Sequence, residues 1–118
     1  MTVETDLMSL LEPLVAGAVY PVSAPDDVAK PYLTVTQVGG RTVAYLERAL
    51  VSKKHGRFQI NWWARSKGEV VALAAQIESA ILLSPLFQAE ALDAPNDIDG
   101  SLVDLFGMQQ DFGIWSDR

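Results

Sequence analysis

The residues of this chain that could do chemistry are few and scattered. His55 is the only histidine and cysteine is absent. A zinc site would therefore need carboxylates alone, and a serine, histidine, aspartate relay would depend on one position inside Ser52-Lys53-Lys54-His55. A histidine among lysines reads as a solvated side chain. Gly39-Gly40 lacks the spaced third glycine and the lysine of a phosphate loop, so it reads as a turn. Asp97-Ile98-Asp99-Gly100 has alternating carboxylates before a glycine, as a calcium loop does. However, Pro95 stands at the first ligand position and Phe106 at the twelfth, where a bidentate glutamate belongs. A turn over Asn96 to Gly100 is the simpler expectation. The other acids, among them Glu69, Glu78, Glu90, Asp93, Asp104, Asp111 and Asp117, show no spacing of a catalytic pair. The sequence indicates no enzyme, no metal and no cofactor.

The elements around these positions are clearer. Phe58, Ile60, Trp62 and Ala64 alternate with Arg57, Gln59, Asn61, Trp63 and Arg65, the period of a half-buried strand. Ser66 and Glu69 fit a capping box. Val70, Leu73, Ala74, Ile77, Ala80 and Ile81 then recur at helical spacing, with Lys67, Gln76 and Ser79 toward water. Near the N-terminus, Leu7, Met8, Leu10, Leu11, Leu14 and Val15 predict a helix from about Thr2 to Ala16, stopped by Gly17 and disturbed by Pro13. Ala18 to Val22, Tyr32 to Val38, Phe87 to Leu92, Leu102 to Phe106 and Met108 to Trp115 have strand character. Ser23 to Pro31 has loop chemistry. Arg41 to Gly56 has no clean period and reads as a basic excursion, with Arg41 to Leu50 either an extended arm or a short helix.

Runs of strands between two helices predict an α+β fold: a mostly antiparallel mixed sheet of four to six strands with two helices packed on one face. The 118 residues, 49% hydrophobic, suit one domain over 1–118. Glu4 and Asp6 stand where a signal peptide would be basic, and Glu12 and Pro13 interrupt Leu7 to Val19, so no membrane insertion is expected and a soluble intracellular product is.

Charge is unevenly spread. The net charge of -6 argues against non-specific nucleic-acid binding. Residues 30 to 67 nevertheless hold eight bases against Glu47, while the flanking segments are acidic. Opposed blocks of this kind either solvate different faces or register neighbouring copies of one protein. Trp63, with arginines beside it, either meets such a neighbour or is covered by the arm of residues 41 to 50. The candidate subunit interface is therefore Arg41, Arg48, Lys53, Lys54, Arg57, Trp63 and Arg65.

Four segments together resemble the tail completion, or tail terminator, family of long-tailed bacteriophages. They are Val19-Tyr20-Pro21-Val22, Lys30 to Val35, Phe58 to Glu69 with its WWARSKGE run, and Gln109 to Trp115. The resemblance spans nearly the whole chain and is weakest over residues 41 to 56. It implies a phage or prophage structural protein that caps the head-proximal end of the tail tube as a ring, usually of six copies, and supports joining to the head. Its implied partners are further copies of itself, the tail tube protein and head-tail connector proteins, with DNA passing through without specific binding. Its implied location is the virion tail, and the host bacterial cytoplasm during assembly. The family has no known catalytic residues. Two other readings stay open at this point: a non-viral self-assembling binding module, and a small enzyme with a pocket of carboxylates and Tyr20, Tyr32 or Tyr45.

Overall fold

The computed structural model describes residues 3–25, 31–39, 53–98 and 106–117. Helix α1 spans Val3–Leu11 and is followed by a 3-10 turn over Glu12–Val15. The expected single helix to Ala16 is thus cut at Leu11. Pro13 offers no N–H to continue the α ladder, and the chain tightens into i to i+3 pairing instead. Ala16 (φ 52°) and Gly17 (φ 86°) then end it, with the Gly17 N–H donating to Glu12 O at 2.8 Å.

Six strands follow: β1 Val19–Pro21, β2 Tyr32–Gly39, β3 Lys53–Ala64, β4 Gln88–Ala91, β5 Asn96–Ile98 and β6 Phe106–Asp117. They form one sheet in the order β1-β2-β3-β6-β4, with β5 also paired to β6. Only β1 and β2 run parallel. The mixed, mostly antiparallel α+β architecture matches the expectation. Helix α2, Lys67–Leu82, lies between β3 and β4 in the chain.

Two segments differ from the reading by pattern. β3 begins at Lys53, so residues 53 to 56 belong to the sheet and not to a basic excursion; backbone register with Ile114 to Asp117 holds them there without any apolar alternation. Asn96–Ile98 is a strand and not a turn, because β6 presents a free ladder edge at Gly107 to Gln109. The segment Arg41 to Leu50 and most of Leu102 to Phe106 lie outside the described residues.

The core forms on one face. Even-numbered β3 residues Phe58, Ile60 and Trp62 pack with Leu33 and Val35 of β2, Phe112 and Ile114 of β6, and Leu7, Leu11, Val70, Ile77 and Ile81 of the two helices. Ser66 caps α2, its hydroxyl accepting from the Glu69 N–H at 3.2 Å. The buried Trp62 indole donates from Nε1 to Val70 O at 2.9 Å, which ties the strand to the first turn of the helix it leads into. Among the described residues no helix is long and apolar enough to cross a membrane.

Candidate functional site

The face of the sheet turned away from both helices collects the odd-numbered residues of β3. Antiparallel register sets Tyr32 opposite Trp63 and Thr34 opposite Asn61 on one side. On the other side it sets Gly107 opposite Trp63, Asp111 opposite Gln59 and Trp115 opposite His55. Cross-strand neighbours on one face interact directly, and this face shows two kinds of pairing.

The first is aromatic. Tyr32 and Trp63 stack with ring centroids 5.1 Å apart and planes 23° off parallel. The space for this comes from Gly107, where an added Cβ would lie 2.7 Å from Cδ1 and Nε1 of Trp63. Trp63 is half-buried there, stacked on its β2 neighbour and lying over the Gly107 backbone of β6. Burial also pushes the Tyr32 phenol above its ordinary value, since the charged phenolate loses hydration there.

The second is ionic. Arg57 donates to Asp111 Oδ2 from Nε at 2.8 Å, and its NH2 lies 2.7 Å from the same oxygen. The Asp111 backbone N–H donates to Asp93 Oδ1 at 2.8 Å, and the Asn96 amide donates to Ala94 O at 3.0 Å. Asp93 and Asp111, which showed no meaningful spacing in sequence, thus meet at one corner. The Asp111 carboxylate accepts from Arg57, while the Asp93 carboxylate accepts from the Asp111 backbone N–H and the Asn96 amide. Between the two clusters, Thr34 Oγ1 and Asn61 Oδ1 are buried without a hydrogen-bond partner.

His55 differs from the solvated side chain expected of it. It is half-buried, tilted against Trp115 at 4.7 Å, and lies over Gly113, where a Cβ would meet its Nε2 at 2.7 Å. The neighbouring cleft of about 240 Å³ is lined by Glu4, Gln37, Phe58 and Ser116 among others. No group of three or more metal-ligating side chains occurs among the described residues.

The sequence-derived interface residues are therefore only partly brought together. Arg57 and Trp63 share the outward face of β3, six positions apart. Arg65 is exposed just beyond the strand, at the Trp63 end. Lys53 and Lys54 start the strand at its opposite end and are described by backbone register alone. Arg41 and Arg48, like Tyr45, lie outside the described residues. The pattern missed Tyr32, Thr34, Gly107 and Asp111, all of which become neighbours only through strand pairing. Such a face has parts that another surface can recognise: a half-buried aromatic ledge and a fixed ion pair.

Comparison with known proteins gives the same direction. The family described as "Tail completion protein gp17" matches residues 5–117. Among curated proteins nothing matches. Twenty-three chains of solved structures do. One of them aligns over 99% of this chain and 97% of its own length, with a TM-score of 0.52 and 14% identity, a likeness of fold alone.

Proposed function

The chain belongs to the tail completion protein family, and from that premise we propose that it caps the head-proximal end of a phage tail tube as a ring and supports joining to the head. A structural role in the phage tail follows from the family. The ring, the head-proximal position and the joining step are the proposal. The whole chain acts as one unit in this reading, assembled in the host cytoplasm and retained in the virion tail.

The observation that carries it is the outward sheet face. Tyr32 and Trp63 stack there as a half-buried aromatic ledge, with Thr34 opposite Asn61 beside it. A neighbouring tail protein that lays an apolar surface over that ledge covers what the chain itself leaves half exposed. The strongly unequal charge of the middle third against its acidic flanks suits contacts between neighbouring subunits as well.

The test uses growing tail tubes of the phage that encodes the chain. Purified protein is expected to arrest tube growth and leave a ring at one end by electron microscopy. Trp63→Ala should lose the ring at protein concentrations where the parent saturates. Tubes that elongate unchanged in excess protein refute the proposal.

A further inference from the structure

The two outer edges of the sheet are finished differently. On β1 the residues whose backbone groups turn away from β2 are Val19 and Pro21, since Ala18 O accepts from the Leu33 N–H and the Val22 N–H donates to Val35 O. Neither has a donor to offer. The Val19 N–H donates to Gly17 O at 2.9 Å, Pro21 has no N–H, and Pro21 O accepts from the Ser23 N–H at 2.7 Å. On β4 the Leu92 N–H donates to Asp111 O at 3.0 Å, and with Ala91 in register with Phe112 this turns the backbone groups of Gln88, Glu90 and Leu92 toward β6. The N–H and C=O of Ala89 and Ala91 therefore point out of the sheet. Among the described residues no strand pairs with that side. An open ladder edge of this kind is a template for one more strand.

The edge itself selects that strand. Around Ala89 the chain is nearly symmetric: Gln88 and Glu90 flank it, then Phe87 and Ala91, then Leu86 and Leu92. Laid antiparallel on a second copy about Ala89, the two Ala89 residues each donate to and accept from the other. Gln88 of each copy then stands opposite Glu90 of the other, an amide beside a carboxylate, on the outward face of the sheet. Phe87 of each falls opposite Ala91 of the other, large against small, on the helix face. Leu86 and Leu92, 58% and 37% exposed, bring apolar surface to both ends of the pairing. Centring the pair on Glu90 instead sets like charges directly opposite, which destabilises, and centring it on Gln88 sets Leu86 against Glu90. We propose that two copies of the free protein pair through β4, antiparallel and centred on Ala89, into one continuous sheet. The contact is isologous, so it closes at two copies. It goes beyond the ring reading and does not use it, because the face that carries that reading is made by β2, β3 and β6.

The chain has no cysteine, so single introduced cysteines report without background. Residues 88 and 90 of the two copies form a non-hydrogen-bonded pair in this register, at a Cα spacing of about 4.5 Å that a disulfide can bridge. Gln88→Cys and Glu90→Cys proteins, mixed at high concentration under mild oxidant, are expected to give the mixed disulfide about tenfold over either self-pair. Dominant self-pairs of either protein overturn the proposal, and so does the absence of any cross-link. Independently, Ala89→Pro removes an N–H from the open side alone, a change that edge strands tolerate. It is expected to weaken self-association in sedimentation at least about tenfold with an unchanged melting temperature, and unweakened association overturns the proposal. Gln88→Lys sets a cation opposite Glu90 of the other copy and should tighten the pair about threefold, a gain that salt removes. A looser pair overturns the proposal. None of these variants touches Trp63, so their failure leaves the ring reading to its own test.

Discussion

Trp62 and Trp63 are adjacent in sequence, yet they occupy opposite faces of β3 and are held by different means. Trp62 is fully buried between sheet and helices, with its indole N–H committed to Val70 O. Trp63 is half-buried on the outward face, resting on Tyr32 and over Gly107. One is fixed by a close-packed interior in which every polar atom of the ring is satisfied. The other is fixed by a single stacked neighbour and by the lack of a side chain across the strand. The difference teaches that a strand's two faces can be equally aromatic and still do separate work. The inner ring joins α2 to the sheet. The outer ring is positioned without being enclosed, which leaves apolar surface for a partner.

The contrast is most easily broken from the inside. Trp62→Ala should cost about 3 to 5 kcal/mol, seen as a lower urea midpoint at unchanged slope, since it removes a fully buried ring and leaves Val70 O with one donor fewer. A loss below about 1 kcal/mol would show that the inner face is not the tighter of the two. Next in size is Gly107→Val. The new side chain collides with the Trp63 indole, and overpacking of this kind costs about 1 to 3 kcal/mol. Near-ultraviolet circular dichroism should report displacement of Trp63 while the far-ultraviolet signal persists.

Asp111→Asn tests the ionic half of the outward face. Arg57 is about half exposed, so solvent screens the pair, and the expected loss is about 1 kcal/mol in chemical denaturation. An effect of several kcal/mol would mean that the pair is covered more completely than Trp63 is. The smallest expected effect is at high pH. Tyr32 holds its proton more tightly in the folded chain than in the unfolded one, so its contribution is intact below the ordinary value of 10.0 and is lost as pH rises through its own raised value. Tyr32→Phe should flatten the fall in stability between about pH 9 and about pH 11, measured by urea unfolding at each. An unchanged slope would place the phenol in water and remove the burial of the outer stack.

How far these features could be read in the sequence depended on the range of the interaction that makes them. The alternation of Phe58 to Ala64 and the Ser66 cap are local, and both appear where the pattern puts them. Asn96 and Asp97 carry turn chemistry, but a ladder edge on β6 recruits them as β5, a choice that no local preference encodes. Gly107 reads as an ordinary glycine until register sets it beneath Trp63. Hydrophobic spacing in α2 identified the buried side correctly. The outward side reads as water-facing because Lys67, Gln76 and Ser79 are polar, although Val71 and Leu82 lie exposed on the same helix. The family likeness, by contrast, was legible in short runs of letters and holds over residues 5–117.

The outer edges of the sheet carry a further consequence for how the free protein behaves in bulk. β1 offers three residues and ends at Pro21, which has no N–H to donate. At the far side, β4 and β5 cover separate stretches of β6, and the gap between them is closed by the Leu92 N–H to Asp111 O at 3.0 Å and by the Asp93 carboxylate on the Asp111 N–H. Long, continuous edges are the templates on which cross-β ribbons grow. Edges this short and interrupted give amyloid-like stacking little to copy. A chain with edges of this kind can therefore accumulate in solution without sliding into fibres.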